Sequence, residues 1–172
     1  SGCKWNCLAQ TTIMSPFDRE AGPTIRYETE SWDNYAANRK RIVDHVREKA
    51  IPNAVSLGGN IHAFYAGLVS DSISSSRCLD PAMTEVVTTS ISAAGGDHVR
   101  YNDVQGRRGE NPCIQFFDNR QRGYAHLVFS HNETLIEFRA VDQIETPDGK
   151  VEALKTLRIR NGELGASVAN DI

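Results

Sequence analysis

The stretch Ala54-Val55-Ser56-Leu57 runs directly into Gly58-Gly59-Asn60-Ile61-His62, and this junction constrains the fold more than any other feature. A short apolar run after the breaker Pro52 reads as a buried strand. Two glycines then let the backbone turn and approach a ligand closely. In open α/β sheets, ligands bind just beyond the carboxyl ends of strands. In a locally extended turn, side chains two residues apart share a side. The Asn60 amide oxygen and the His62 imidazole would then face one metal ion or one phosphoryl group. The plainer alternative is a histidine that caps or packs a loop.

The remaining patterns place this junction in a mixed chain. Trp5 to Met14 opens with a short apolar segment that reads as a strand, and residues 15–31, with Pro16, Gly22 and Pro23, read as a loop. Residues 34–50 carry Tyr35, Ile42, Val43, Val46 and Ala50 at helical spacing, with Asp33 as the expected cap and Pro52 as the stop. A second short helix is expected after His62, up to Leu68. Residues 70–82 read as a Ser-rich loop, Glu85 to Ile91 as a β-rich run, and Ala93 through Gly109 as a long glycine-rich loop. The last third is β: Ile114–Phe117, then Tyr124–Ser130 and Thr134–Val141 joined as a hairpin at His131-Asn132-Glu133, then Val151–Arg160 before the turn pair Asn161-Gly162. The expected class is α/β at the front and antiparallel β at the back, in one domain over residues 1–172.

Composition narrows the function classes. The chain has 172 residues, of which 40% are hydrophobic and 24% charged, as in a globular domain with a real core. A net charge of −3, with basic residues dispersed apart from Arg39-Lys40-Arg41 and Arg107-Arg108, gives no basic face for nucleic acid. No apolar run reaches the roughly 20 residues of a membrane helix, and the first residues show no signal-peptide core. Cys3, Cys7, Cys78 and Cys113 form no Cys-x-x-Cys pair, which argues against a structural zinc site. They allow two disulfides or free buried thiols, a Cys78–Cys113 bridge among the options.

Several short motifs recur in one order: Lys4-Trp5-Asn6, Leu8-Ala9-Gln10, Ser31-Trp32-Asp33-Asn34-Tyr35, Asn38-Arg39-Lys40-Arg41-Ile42, Gly59-Asn60-Ile61-His62, Thr89-Ser90-Ile91, Gly95-Gly96-Asp97, Phe116-Phe117-Asp118 and Arg122-Gly123-Tyr124. Together they resemble the C-terminal part of alkaline phosphatase D (PhoD-like) metallophosphatases, relatives of the calcineurin-like phosphoesterases. The resemblance covers nearly the whole chain. It implies a four-layer fold with two central β-sheets, and a centre of metal ions, calcium and iron, that cleaves phosphate monoesters or diesters. It also implies an exported enzyme, periplasmic or extracellular.

Such a centre is split along the sequence. The first half of these enzymes supplies most acidic ligands, and the second half a Gly-Asp-x-His turn, which falls on Gly59-Asn60-Ile61-His62. The resemblance thus implies His62 as the catalytic residue, Asn60, His62 and Asp33 as metal ligands, and Asp97, His98 and Arg122 as the substrate-binding set. Two departures stand out. Asn60 replaces the family Asp, exchanging an anion for a neutral oxygen. Asp33, Asp71, Asp97, Asp103 and Asp118 lack the spacing of the acidic first-half motifs. The competing expectation is a homologue that kept the fold as a binding or structural module. An isolated half of a two-sheet fold is expected to expose an apolar sheet face, and so to pair with the missing first half or with its own copy. His45, His126 and His131 read as surface or core histidines, and Gln10 and Asn111 carry no specific signal.

Overall fold

The computed structural model describes residues 2–27, 29–74 and 77–169. In chain order the elements are β1 (Asn6–Ala9), a 3-10 turn (Trp32–Tyr35), α1 (Ala36–Glu48), β2 (Ala54–Gly58), β3 (Phe64–Val69), β4 (Ile73–Ser74), β5 (Arg77–Cys78), β6 (Met83–Val87), α2 (His98–Gly106), β7 (Ile114–Asp118), β8 (Arg122–Phe129), β9 (Glu133–Val141), β10 (Val151–Arg160) and β11 (Ser167–Val168). The first sheet has the order β1-β2-β6-β3-β7 and the second β11-β10-β9-β8, while β4 and β5 form a separate small hairpin. β1, β2 and β6 run parallel, and β3 is antiparallel to both β6 and β7. The second sheet is antiparallel throughout.

The two sheets pack face to face. Val55, Phe64, Ala66 and Val86 of the first meet Ile136, Phe138, Leu157 and Ile159 of the second. Phe138 stacks on Phe116 at 5.2 Å and tilts against Phe64 at the same distance. β9 shows why this sheet forms: its residues alternate between half-buried and buried along the whole strand, the period of a strand with one core face. The other face of the first sheet is covered by α1 through Val43 and Val46, and by α2 and a crossing loop through Val104, Ile13 and Phe17. The mixed α/β class and the two central sheets are therefore as the sequence implies. The expected exposed sheet face is not, because the two sheets of this chain already cover each other.

Three local expectations are corrected. Residues 64–68 form the strand β3, not a helix. Phe64 and Ala66 face the inter-sheet core, while Tyr65 and Val69 enter the packing on the opposite side. A strand buried on both faces reads as a continuous apolar run, which periodicity cannot tell from a helix. The 93–109 segment is not all loop: α2 occupies His98–Gly106, opened by Asp97, whose side chain accepts from Arg100 N. Finally, α1 starts at Ala36. Ser31, not Asp33, caps the turn before it, and the helix ends at Glu48 with Ala50 in the left-handed region at φ 44°. Ile51 N–H donates to Val46 O and Ala50 N–H to Arg47 O, so a Schellman-type closure stops the helix before Pro52 does.

Cys78 and Cys113 form a disulfide that ties the small hairpin to the start of β7, whereas Cys3 and Cys7 are free and exposed. No helix among the described residues is long and apolar enough to cross a membrane.

Candidate metal-ligand turn

The carboxyl ends of β1, β2, β6 and β7 and the start of β3 meet at one end of the first sheet. The Gly59–His62 turn sits there, as expected from the strand-glycine junction. Its conformation differs from the expectation. Asn60 and His62 both lie in the left-handed region, at φ 69° and 52°, and Ile61 N–H donates to Gly59 O. The turn is thus tightly coiled, not extended. Asn tolerates this backbone well, and His less so. Strain of this kind persists only where the surroundings hold it.

Those surroundings can be named. The His62 ring sits with Nδ1 2.6 Å from Ala94 O. A carbonyl only accepts, so Nδ1 carries the proton, and in the neutral ring Nε2 keeps its lone pair. Ala94 is itself held, because Ser90 Oγ donates to the neighbouring Ala93 O at 2.9 Å. Beneath the turn lies Arg122, buried at 7% exposure. Its Nη1 donates to His62 O at 3.3 Å, Thr89 Oγ1 at 3.3 Å and Ser90 Oγ at 2.9 Å, and its Nη2 to Asn119 O at 2.6 Å. Burial pulls the Arg122 guanidinium below its ordinary value, with Asp118 pulling the other way. Gly95 lies so close over Arg122 that a Cβ there would overlap the guanidinium. This explains one of the two adjacent glycines. Asn60 is exposed, and its Nδ2 lies 3.4 Å from Thr12 Oγ1.

Thr12 belongs to a loop that crosses the outer face of the first sheet, and here the sequence reading missed the organising residues. Glu85 is fully buried on β6. Its carboxylate accepts from Met14 N at 2.8 Å, Ser15 N at 2.7 Å and Ser56 Oγ at 3.1 Å. Gln10, which carries no sequence signal, accepts from Trp32 Nε1 and Thr12 N, both at 2.9 Å, and donates toward Glu85 at 3.4 Å. Asn111, equally silent, is fully buried. It accepts from Asp18 N at 2.7 Å and donates to Asp18 O at 3.1 Å. A Glu inside the apolar run Met83–Val87 was the one readable sign, since a carboxylate is almost never fully buried without partners.

The other expected site residues lie at the starts of helical elements. Asp33 is buried against Arg39, and its second oxygen accepts from Phe17 N at 3.2 Å. Burial raises its carboxyl above the ordinary value, while Arg39 and the Phe17 N–H pull it down. Both oxygens are thus engaged by protein donors, as befits a core strut. Asp97 caps α2, and His98 opens it on the exposed surface. No group of three or more His, Cys, Asp or Glu side chains among the described residues could hold a metal ion. The side-chain polar groups of the turn without a hydrogen bond described above are His62 Nε2 and the amide oxygen of Asn60. Each is of a type that can ligate a metal ion, and a full set needs further ligands.

A profile of the PhoD-like phosphatases matches residues 1–138. The chain belongs to the PhoD-like phosphatase family. Alkaline phosphatase D of Bacillus subtilis (strain 168) is 28% identical over 166 residues, which cover 96% of this chain and 28% of that protein. A solved structure of PhoD superposes with a TM-score of 0.81 at 25% identity, over 98% of this chain and 32% of that one. This PhoD-like chain thus spans about three tenths of the length of these relatives.

Proposed function

We propose that this chain supplies one flank of a metal-dependent phosphoric ester hydrolase centre of the alkaline phosphatase D type, as the C-terminal part of a single phosphatase domain. One observation carries this reading: the His62 ring is fixed through Nδ1 to a backbone carbonyl, with Nε2 left as the ligand nitrogen. Metal-bound histidines characteristically donate their other ring N–H to such an acceptor. Asn60 adds a neutral oxygen, the donor type that calcium accepts. Calcium and iron are the ions proposed from the family resemblance. Bound there, such ions neutralise phosphate charge and activate water.

The chain's own residues do the positioning. Arg122 ties the His62 backbone to Thr89, Ser90 and Asn119, which makes it a positioning residue rather than a phosphate contact. His98, exposed at the start of α2, is the proposed rim contact for the ester, with Asp97 holding that helix end. An exported location is also proposed, supported by the Cys78–Cys113 bridge, since disulfides persist in oxidising compartments.

The test uses the intact polypeptide that contains this segment. Metal content and hydrolysis of p-nitrophenyl phosphate and its bis-ester are measured for wild type, His62→Ala and Arg122→Met. Bound metal and turnover that both collapse in His62→Ala are expected. Turnover equal to wild type in that variant would sink the proposal. Asn60 favours a second reading, a homologue that keeps the fold as a binding module. Wild-type protein free of both metal and turnover, but folded, would select it.

A further inference from the structure

Asn161-Gly162, the only Asn-Gly step in the sequence, has no part in the proposed metal centre. It forms the exposed corner after β10. There Glu163 N–H donates to Arg160 O at 3.0 Å and Gly162 takes φ 83°, as a type II turn requires of its third residue. Such a step can react with itself. Asn is a thermolabile residue, and most so before Gly, whose backbone nitrogen no Cβ shields. When the Gly162 nitrogen loses its proton to a base from solvent, it bonds to Asn161 Cγ. The Cγ–Nδ2 bond breaks, and the amide leaves as ammonia after taking up a proton. Water then opens the cyclic imide at either carbonyl, giving Asp or, with an extra backbone carbon, isoAsp.

One side chain, 108 residues away, occupies both reacting groups. Asn53 Nδ2 donates to Asn161 Oδ1 at 2.7 Å, and Gly162 N–H donates to Asn53 Oδ1 at 2.7 Å. The second Nδ2 hydrogen goes to Lys4 O at 2.8 Å. The backbone fixes which amide atom is which. Gly162 N–H only donates and Lys4 O only accepts, so Asn53 turns its oxygen to the first and its nitrogen to the second. Asn161 must then present its oxygen. An amide bonds close to its own plane, so Asn53 draws Gly162 N–H and Asn161 Oδ1 side by side into that plane. Attack instead needs the nitrogen over the face of the Asn161 amide, with its N–H free to be lost. Residue 53 is suited to this task. It sits in the left-handed region at φ 48°, and its carbonyl accepts from Asn6 N at 3.1 Å. Few side chains tolerate that backbone, and of those only Asn offers donors and an acceptor together.

We propose that Asn161-Gly162 is a deamidation site and that the Asn53 side chain holds it closed. The guarded corner is also a seam between the sheets. Through Asn53 it ties Lys4, before β1, and the start of β2 to the end of β10. Asn161 N–H donates to Asn132 O at 2.8 Å, in the hairpin between β8 and β9. An isoAsp at 161 lengthens the backbone inside the turn and carries Gly162 N–H away from Asn53. Loss of one ammonia therefore loosens the seam at this end of the sandwich.

The experiment follows deamidation at Asn161 in the intact polypeptide at mildly alkaline pH, by peptide mass spectrometry, in wild type, Asn53→Gly and Asn53→Asp. Asn53→Gly suits the left-handed backbone and removes every side-chain bond of residue 53. Asn53→Asp keeps only the acceptor for Gly162 N–H. Native wild type is expected to react at least about tenfold more slowly than the denatured chain. Asn53→Gly should approach the denatured rate, and Asn53→Asp should fall between. Hydrogen exchange separates a lost guard from a lost turn. In Asn53→Gly, the Gly162 N–H should exchange faster while the Glu163 N–H, bonded to Arg160 O, keeps its wild-type rate. Wild type reacting within about twofold of the denatured chain overturns the proposal, and so does Asn53→Gly reacting as slowly as wild type. Exchange at Glu163 that rises as much as at Gly162 overturns it too, because the protection then belongs to the turn itself. Should Asn53→Gly fail to fold, Asn53→Asp carries the comparison, and a wild-type rate there overturns the guard.

Discussion

The loop from Gln10 to Asp18 and the turn from Asn60 to His62 stand at the same end of one sheet and are built in opposite ways. In the loop, Thr12 through Asp18 are all buried, and Glu85, Asp33 and Asn111 accept its backbone N–H groups. In the turn, Asn60 is exposed, His62 is half-buried, and two non-glycine residues sit in the left-handed region. Buried polar groups that are fully partnered specify one geometry. Exposed groups with free lone pairs are available to a ligand. The contrast separates a stiff bed from the donors it presents, and it predicts that substitutions in the two regions fail in different ways.

The largest effect is expected at Asp33→Ala. Removing one partner of the fully buried Asp33–Arg39 pair strands a charge and costs about 3–5 kcal/mol. Urea denaturation measures it. The apolar double replacement Asp33→Leu with Arg39→Met should recover most of that loss. If the single change proves harmless, the bed is not what holds the loop.

Glu85 comes next. Glu85→Ala leaves the Met14 and Ser15 N–H groups without an acceptor and is expected to cost about 3 kcal/mol. Burial pushes the Glu85 carboxyl above the usual carboxylate range, against the pull of the Ser15, Met14 and Ser56 donors. An acid of this kind keeps its proton longer folded than unfolded. Its contribution to stability is therefore full below the ordinary carboxylate value, and is lost as pH rises toward the raised one. Thermal melts should show that decline in wild type and not in Glu85→Gln.

In the turn the prediction reverses. His62→Ala removes one ring-to-carbonyl hydrogen bond and should cost only about 1 kcal/mol while lowering metal affinity of the intact protein by about 100-fold, read by calorimetry. A stability loss on the scale of Asp33→Ala would mean that His62 belongs to the bed. The smallest effect is expected at Asn60→Asp. Restoring the anion should tighten calcium binding on the order of tenfold, with stability unchanged. Equal affinity would show that position 60 does not contact the ion.

Legibility followed the same divide. The second sheet was readable because β9 alternates along its whole length, and the glycine junction located the turn. What stayed hidden depends on contacts distant in sequence. Asn111 meets Asp18 across 93 residues and Glu85 meets Met14 across 71, and no local pattern encodes either. Asp33 illustrates a subtler miss. Its place before an amphipathic helix suggested a cap, but Ser31 took that role and released the carboxylate inward to Arg39. α2 was hidden because it is short and buries only Val104 of its nine residues, so its apolar stripe is too thin to read.

The left-handed backbone at residue 60 carries a consequence for how this site can vary. Only Gly, Asn and Asp adopt that conformation readily, so the menu at the position is three residues long. Within it, acid and amide differ by one atom's chemistry and share one shape. A lineage or a designer can thus dial the charge of the site up or down by a single exchange without rebuilding the turn, whereas any larger side chain must first overcome the backbone.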